Sequence, residues 1–298
     1  MVIGILAIVG LCLGSFVNAF VWRLRAQETL VDSGTAVQPP QSKKTRKLTA
    51  KDLSITKGRS MCVHCHHALA ARDLIPVVSY LWLRGKCRYC HKAIDDTPLP
   101  ELITPVLFIV SYLVWPQPLQ AGGLFAFCCW LVFLVGFVAL ALYDIRWFEL
   151  PHKIVLPLIG LAAVQTIVQA TVFGGGADTL IHAGLGALIG GGLFFALYYF
   201  SPKQKLEDGT EISAWIGGGD ITLGTLLGLL VGGPAGALLV IFLASLIGTL
   251  VALPFMLAGK ATRTSHLPFG PYLIVAAIIV MLWGENIIQW YTTFLMPV

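Results

Sequence analysis

Charge is scarce in this chain: Asp, Glu, Lys and Arg together make up 12% of its 298 residues, about half the share found in a soluble domain. Beside 57% hydrophobic residues and a mean hydropathy of +0.81, that shortage excludes an ordinary water-soluble fold. Three further absences narrow the field. No glycine fingerprint on a strand–helix unit marks a Rossmann-type nucleotide-binding domain. No inverted pair of broken helices marks a transporter. No basic stretch precedes the first apolar run, and Arg23 and Arg25 follow it instead, so this run reads as a retained span and not as a signal peptide.

What is present is a series of apolar runs, most of them about 17–25 residues long and able to cross ~30 Å of hydrocarbon. They predict an all-α polytopic membrane protein whose backbone groups pair within each helix. Eight spans are expected, at 1–22, 101–115, 121–142, 154–173, 181–200, 220–233, 235–257 and 271–290. The chain thus divides into a first helix (1–22), a loop (23–100) and a seven-helix core (101–298). Of the 20 Lys and Arg residues, 14 lie between Arg23 and Lys92, and the others sit at Arg146 and Lys153, Lys203 and Lys205, and Lys260 and Arg263. By the positive-inside rule both termini face away from the cytoplasm and the loop 23–100 faces it. The net charge of +5 follows from that sorting. The run Lys43-Lys44-Thr45-Arg46-Lys47 therefore reads as a topology determinant beside anionic lipid and not as a nucleic-acid site.

Within the loop, 26–60 is rich in Lys, Thr, Ser and Gln and too poor in apolar residues to order itself, so a flexible insert is expected there. The part that follows, 61–97, holds Cys62-Val63-His64-Cys65 and Cys87-Arg88-Tyr89-Cys90. Two Cys-x-x-Cys pairs in a reducing compartment supply four thiolates for a tetrahedral structural zinc ion. His64, His66, His67 and His91 are the alternative ligands beside them. Zinc as a hydrolytic metal is not expected, because four cysteines close the coordination sphere. Cys12, Cys128 and Cys129 read as packing residues inside spans.

Two aspartates stand at the edges of apolar runs, Asp144 closing the third span and Asp220 opening the sixth behind Gly217-Gly218-Gly219. An ionisable group so placed is a functional candidate by default. The topology puts both at the same cytoplasmic depth, where two carboxylates could share one proton and activate a water. The glycines clear an approach for an extended chain or a neighbouring helix. Glu149 and Glu101 read as a loop carboxylate and a helix-start carboxylate. The competing reading of membrane-edge aspartates is a relay in a transporter or proton channel.

Five elements in order give the chain a resemblance. They are Gly14-Ser15-Phe16-Val17-Asn18, the four-cysteine region with Ile75–Leu81 and Leu83–Arg88 leading to Pro98-Leu99-Pro100-Glu101, Asp144–Pro151 (Asp-x5-Leu-Pro), Gly217–Asp220 (Gly-x-Gly-Asp), and Pro268-Phe269-Gly270-Pro271. Together they resemble the bacterial type IV prepilin peptidases over nearly the whole chain. The resemblance implies an aspartic endopeptidase of the inner membrane that cuts the basic leader from prepilins or pseudopilins after a glycine. It also implies, for many members, methylation of the new N-terminal residue with S-adenosylmethionine. It makes Asp144 and Asp220 the catalytic pair, Cys62, Cys65, Cys87 and Cys90 the metal ligands, and Asn18 a candidate substrate contact. Thr222 stands where the family commonly has Lys, His152 where it often has Asp, and the insert is longer than expected.

Overall fold

The computed structural model describes residues 1–33, 53–54, 58–94, 96–205, 211–213, 216–258 and 268–295. Residues 34–52 and 55–57, most of the expected flexible insert, lie outside the described residues. The chain forms two compact units, Met1–Leu113 and Val114–Val298.

The first unit opens with α1 (Val2–Ser33) and continues through a 3₁₀ turn (Ala71–Leu74) and the short α2 (Val78–Trp82) to α3 (Leu99–Val114). The helix α1 runs well past the expected end at 22. Its continuation, Arg23–Ser33, is made largely of Leu, Arg, Ala, Gln and Glu, which favour helix whatever their polarity. Residues 26–33, expected to open the flexible insert, are therefore helical. Leu53 is fully buried beside Ala26 and packs with Trp22 and Met61. The Gln27 amide donates to the Leu53 carbonyl at 2.8 Å.

The second unit holds α4 (Ala121–Trp147), α5 (His152–Thr171), α6 (Gly176–Phe200), α7 (Gly218–Leu230), α8 (Pro234–Leu257) and α9 (Gly270–Leu295). The helix α4 is apolar on every face, as a helix with neighbours around it must be. Trp130, Phe133, Phe137 and Tyr143 on it are fully buried, with Phe133 and Phe137 rings stacked at 6.3 Å. Its partners include α5 and α9.

The most extensive packing is α6 on α7, and glycine makes it possible. A Cβ on Gly224 would fall 2.6 Å from the Gly190 carbonyl oxygen, and one on Gly228 would collide with the Gly186 carbonyl. Two helices approach this closely only where side chains are absent on both, the usual device of apolar helices in lipid.

Among the described residues, apolar helices fall at each of the expected places. Six are long and apolar enough to cross a membrane, while α3 and α7 are shorter, at 16 and 13 residues. Among the described residues the one sheet is an antiparallel hairpin, β1 (Lys203–Lys205) with β2 (Glu211–Ser213), between α6 and α7. It falls in the polar linker that the hydropathy pattern leaves outside the bilayer.

Candidate active site and metal centre

Asp144 lies in the last turn of α4 and is buried. The spacing of its motif explains the turn that follows. Phe148 adopts a left-handed conformation (φ 57°, ψ 34°) and its N–H bonds back to the Asp144 carbonyl at 2.8 Å, ending the helix. A bulky residue at positive φ is uncommon, and here it reverses the chain so that Leu150 and Pro151 precede α5. Leu150 then lies between two glycines. A Cβ on Gly219 would sit 2.7 Å from the Leu150 Cβ, and one on Gly270 would sit 3.4 Å from its Cδ2.

Gly270 opens α9 and donates its backbone N–H to the Asp144 Oδ2 at 3.1 Å. A Cβ there would come within 2.5 Å of the same oxygen, so only glycine admits the carboxylate. Sequence reading gives this residue no role. The signal available is its place in Pro268-Phe269-Gly270-Pro271, directly before the last span.

Asp220 occupies the first turn of α7 and is half-buried, its N–H bonded to the Gly217 carbonyl at 3.1 Å. Its carboxylate lies within electrostatic range of Asp144. The three preceding glycines differ in what surrounds them. Gly219 faces Leu150 closely, Gly217 would make only ordinary contact with the Asp220 carboxylate, and Gly218 faces open space. Gly217 and Gly218 leave a strip of backbone next to Asp220 that no side chain of the described residues obstructs. Thr222 turns its hydroxyl to the Gly219 carbonyl at 2.8 Å.

In the first unit, Cys62, Cys65, Cys87 and Cys90 place their sulfurs within 4.8 Å of one another, with Cys62 and Cys90 at 3.8 Å. Four thiolates about 2.3 Å from a tetrahedral ion stand about 3.8 Å apart, so the donor set fits a closed four-sulfur metal centre. Burial pushes the Cys62 thiol up to about 12. At Cys87 burial also acts upward but is outweighed by the N–H groups of Cys90 and Tyr89, which leave that thiol below its ordinary value. A cation that binds here must displace protons, and Cys87 yields its proton more readily than Cys62.

The two knuckles are copies of one hairpin. Bridges join Met61 to Ala68 and Lys86 to Ala93, and His66 and His91 both take positive φ after the second cysteine (54° and 57°). Two of the histidines have other partners. His64 Nε2 contacts the Ala93 carbonyl at 3.1 Å, and the His67 ring lies 3.8 Å from that of Tyr89. Asp73, in the 3₁₀ turn between the pairs, holds the second knuckle, accepting from Arg88 Nε at 2.7 Å and from the Tyr89 hydroxyl at 3.1 Å.

Comparison with known proteins follows the same two units. Residues 8–115 match the bacterial peptidase A24 N-terminal domain and residues 126–253 match the type IV leader peptidase family. A protein of Aeromonas hydrophila named prepilin leader peptidase/N-methyltransferase is 34% identical over 79% of this chain and 75% of its own length. One of the same name from Pseudomonas aeruginosa is 32% identical over 96% of this chain and 92% of its own. The chain belongs to the type IV prepilin leader peptidase family. A Bacillus subtilis member is 28% identical over 80% of this chain and 87% of its own length. No solved structure matches this chain.

For a member of this family the placement of Asn18 is informative. It is buried on α1, and its amide donates to the Thr97 carbonyl at 3.0 Å. It lines a cavity of about 420 Å³ whose wall, with Trp22, Tyr80 and Glu101, is drawn wholly from the first unit. The Asn18 Oδ1 has no hydrogen-bond partner among the described residues, a costly condition for a buried acceptor.

Proposed function

We propose that this chain is a membrane-embedded aspartic endopeptidase that removes the basic leader of type IV prepilins or pseudopilins after a glycine, at the cytoplasmic face of the bacterial inner membrane. We place Asp144 and Asp220 as the catalytic pair. The observation that carries the assignment is the mounting of Asp144. It is buried, held by the Gly270 N–H and within electrostatic range of Asp220. In this mechanism one proton is shared by the two carboxylates. The ionised carboxylate takes a proton from water as that water attacks the scissile carbonyl, and the protonated one hydrogen-bonds the carbonyl oxygen. Gly217 and Gly218 admit the extended peptide beside Asp220, while Gly219 is taken up by its close contact with Leu150. The distribution of Lys and Arg sets the orientation.

Zinc is the metal we assign to the four cysteines. It would cross-link the two hairpins, leaving no open position for a water. About one zinc per chain is expected by metal analysis of the purified protein. In Cys62→Ser or Cys90→Ser this should fall nearly to zero; metal content unchanged in both would remove the assignment.

Methylation of the cleaved pilin, which the relatives' names include, requires a donor of the S-adenosylmethionine type. The Asn18 cavity fits such a group in size. Trp22 and Tyr80 would flank its base, and the unpartnered Asn18 Oδ1 and the Glu101 carboxylate would accept its N–H and O–H groups. Loss of one such hydrogen bond costs about tenfold. Asn18→Ala should therefore raise the donor concentration needed for half-maximal methylation by about that factor, with cleavage retained. Mass measurement of the N-terminus of a co-expressed prepilin reports both steps, and an uncut leader with the wild-type enzyme would overturn the main reading.

A further inference from the structure

The segment between the two knuckles presents one face inward and another to the surroundings. On and just after α2, Ser79, Tyr80 and Leu83 line the cavity, while Val78, Leu81 and Trp82 point away, 55%, 67% and 81% exposed. Those three positions share a helix face. Ile75 and Leu74 extend the apolar surface. Five large apolar side chains left bare in so short a stretch mark a contact surface.

The height of this surface relative to the membrane is set by one hydrogen bond. Val77, the residue before α2, donates its N–H to the Glu101 carboxylate, and Glu101 lies in the first turn of α3. Val77 holds a positive φ (φ 60°, ψ −48°), an outlier for a β-branched residue. Beyond Glu101, α3 carries no charge to its end, with Leu102, Ile103 and Val106 exposed as a lipid-facing helix requires. The start of α2 is thus pinned to the mouth of a membrane helix, at the depth where Trp residues concentrate.

Charge completes the surface. From Arg72 to Ile94 the chain carries Arg72, Arg84, Lys86, Arg88 and Lys92 against one acid, Asp73, which pairs with Arg88, and Arg72, Arg84 and Lys86 are exposed. An apolar face with a basic flank at the water–lipid boundary matches the chemistry of an anionic bilayer surface. A soluble cap would have polar side chains at 78, 81 and 82.

We propose that α2 is an interfacial helix that seats Val78, Leu81 and Trp82 in the headgroup layer of anionic phospholipid, fixing the depth of the cysteine cap and its cavity. The inference stands apart from the peptidase reading. Its test places a photo-crosslinking phenylalanine analogue at position 81 or 82 of the full chain in nanodiscs, with zinc content as the check that the cap is folded. If a probe at those positions costs the cap its zinc, position 78 carries it instead. Mass spectrometry should find lipid adducts, about fivefold more abundant with phosphatidylglycerol present than with phosphatidylcholine alone. Absence of lipid adducts, adducts indifferent to lipid charge, or adducts to an added prepilin in place of lipid would each overturn it.

Discussion

Asn in place of either Asp144 or Asp220 is expected to leave a folded, membrane-inserted protein that no longer removes the leader, with cleavage lowered by about 10³-fold or more. General acid–base catalysis by one positioned group contributes about 10²–10⁴-fold, and in the proposed pair each carboxylate would depend on the other to hold the proton it lacks. The substitution keeps size and hydrogen-bonding capacity, so packing around buried Asp144 survives. In Asp144→Asn the amide that replaces the carboxylate can still accept from the Gly270 N–H through its carbonyl oxygen. The measurement is the fraction of a co-expressed prepilin that keeps its leader, set against the amount of enzyme in the membrane. Full cleavage by either variant would sink the aspartate pair, and aspartate-dependent ion movement in proteoliposomes would point to a relay instead.

Gly270→Ala is the second large effect, and it separates positioning from chemistry. The new methyl would arrive 2.5 Å from the Asp144 Oδ2, well inside contact distance. Either the carboxylate swings away or the start of α9 retreats, and in both cases the hydrogen bond at 3.1 Å is lost. A displacement of about 1 Å at a reacting group costs about 10²-fold. Cleavage should fall by that order while the amount of inserted protein stays close to wild type. Gly192→Ala, where among the described residues nothing beyond its chain neighbours and own helix backbone lies within 4 Å of the added methyl, supplies the comparison and should cleave normally. Equal activity in the two variants would mean that Gly270 does not hold the acid.

How much of this is legible in the residues follows from the range of each interaction. The apolar runs are local in sequence, and so are the two cysteine pairs, because a metal knuckle is built from four consecutive residues. Both stand out for that reason. The Asp144–Gly270 bond joins residues 126 apart, and no periodicity reports such a pairing. The end of α1 escapes the hydropathy pattern for another reason. Polarity there suggests a loop, but Leu24, Arg25, Ala26 and Gln27 continue a helix that Leu53 then covers. Phe148 at positive φ carries no sequence mark, since glycine or asparagine would be expected at such a reversal.

The shortness of α7 has a consequence for the solvent of the reaction. Thirteen residues rise about 20 Å, against ~30 Å of hydrocarbon. Locked to α6 through Gly224 and Gly228, the helix has no freedom to slide and share the shortfall between its ends. On the proposed reading, with α7 as a span, the bilayer thins around it or water descends to Asp220, and either would bring the water of the proposed hydrolysis to a depth that lipid tails otherwise keep dry. Thickening the membrane by longer acyl chains works against that supply at a cost that grows with each ångström of mismatch. Tail length, independent of headgroup charge, thus becomes a control on how readily the carboxylates are wetted.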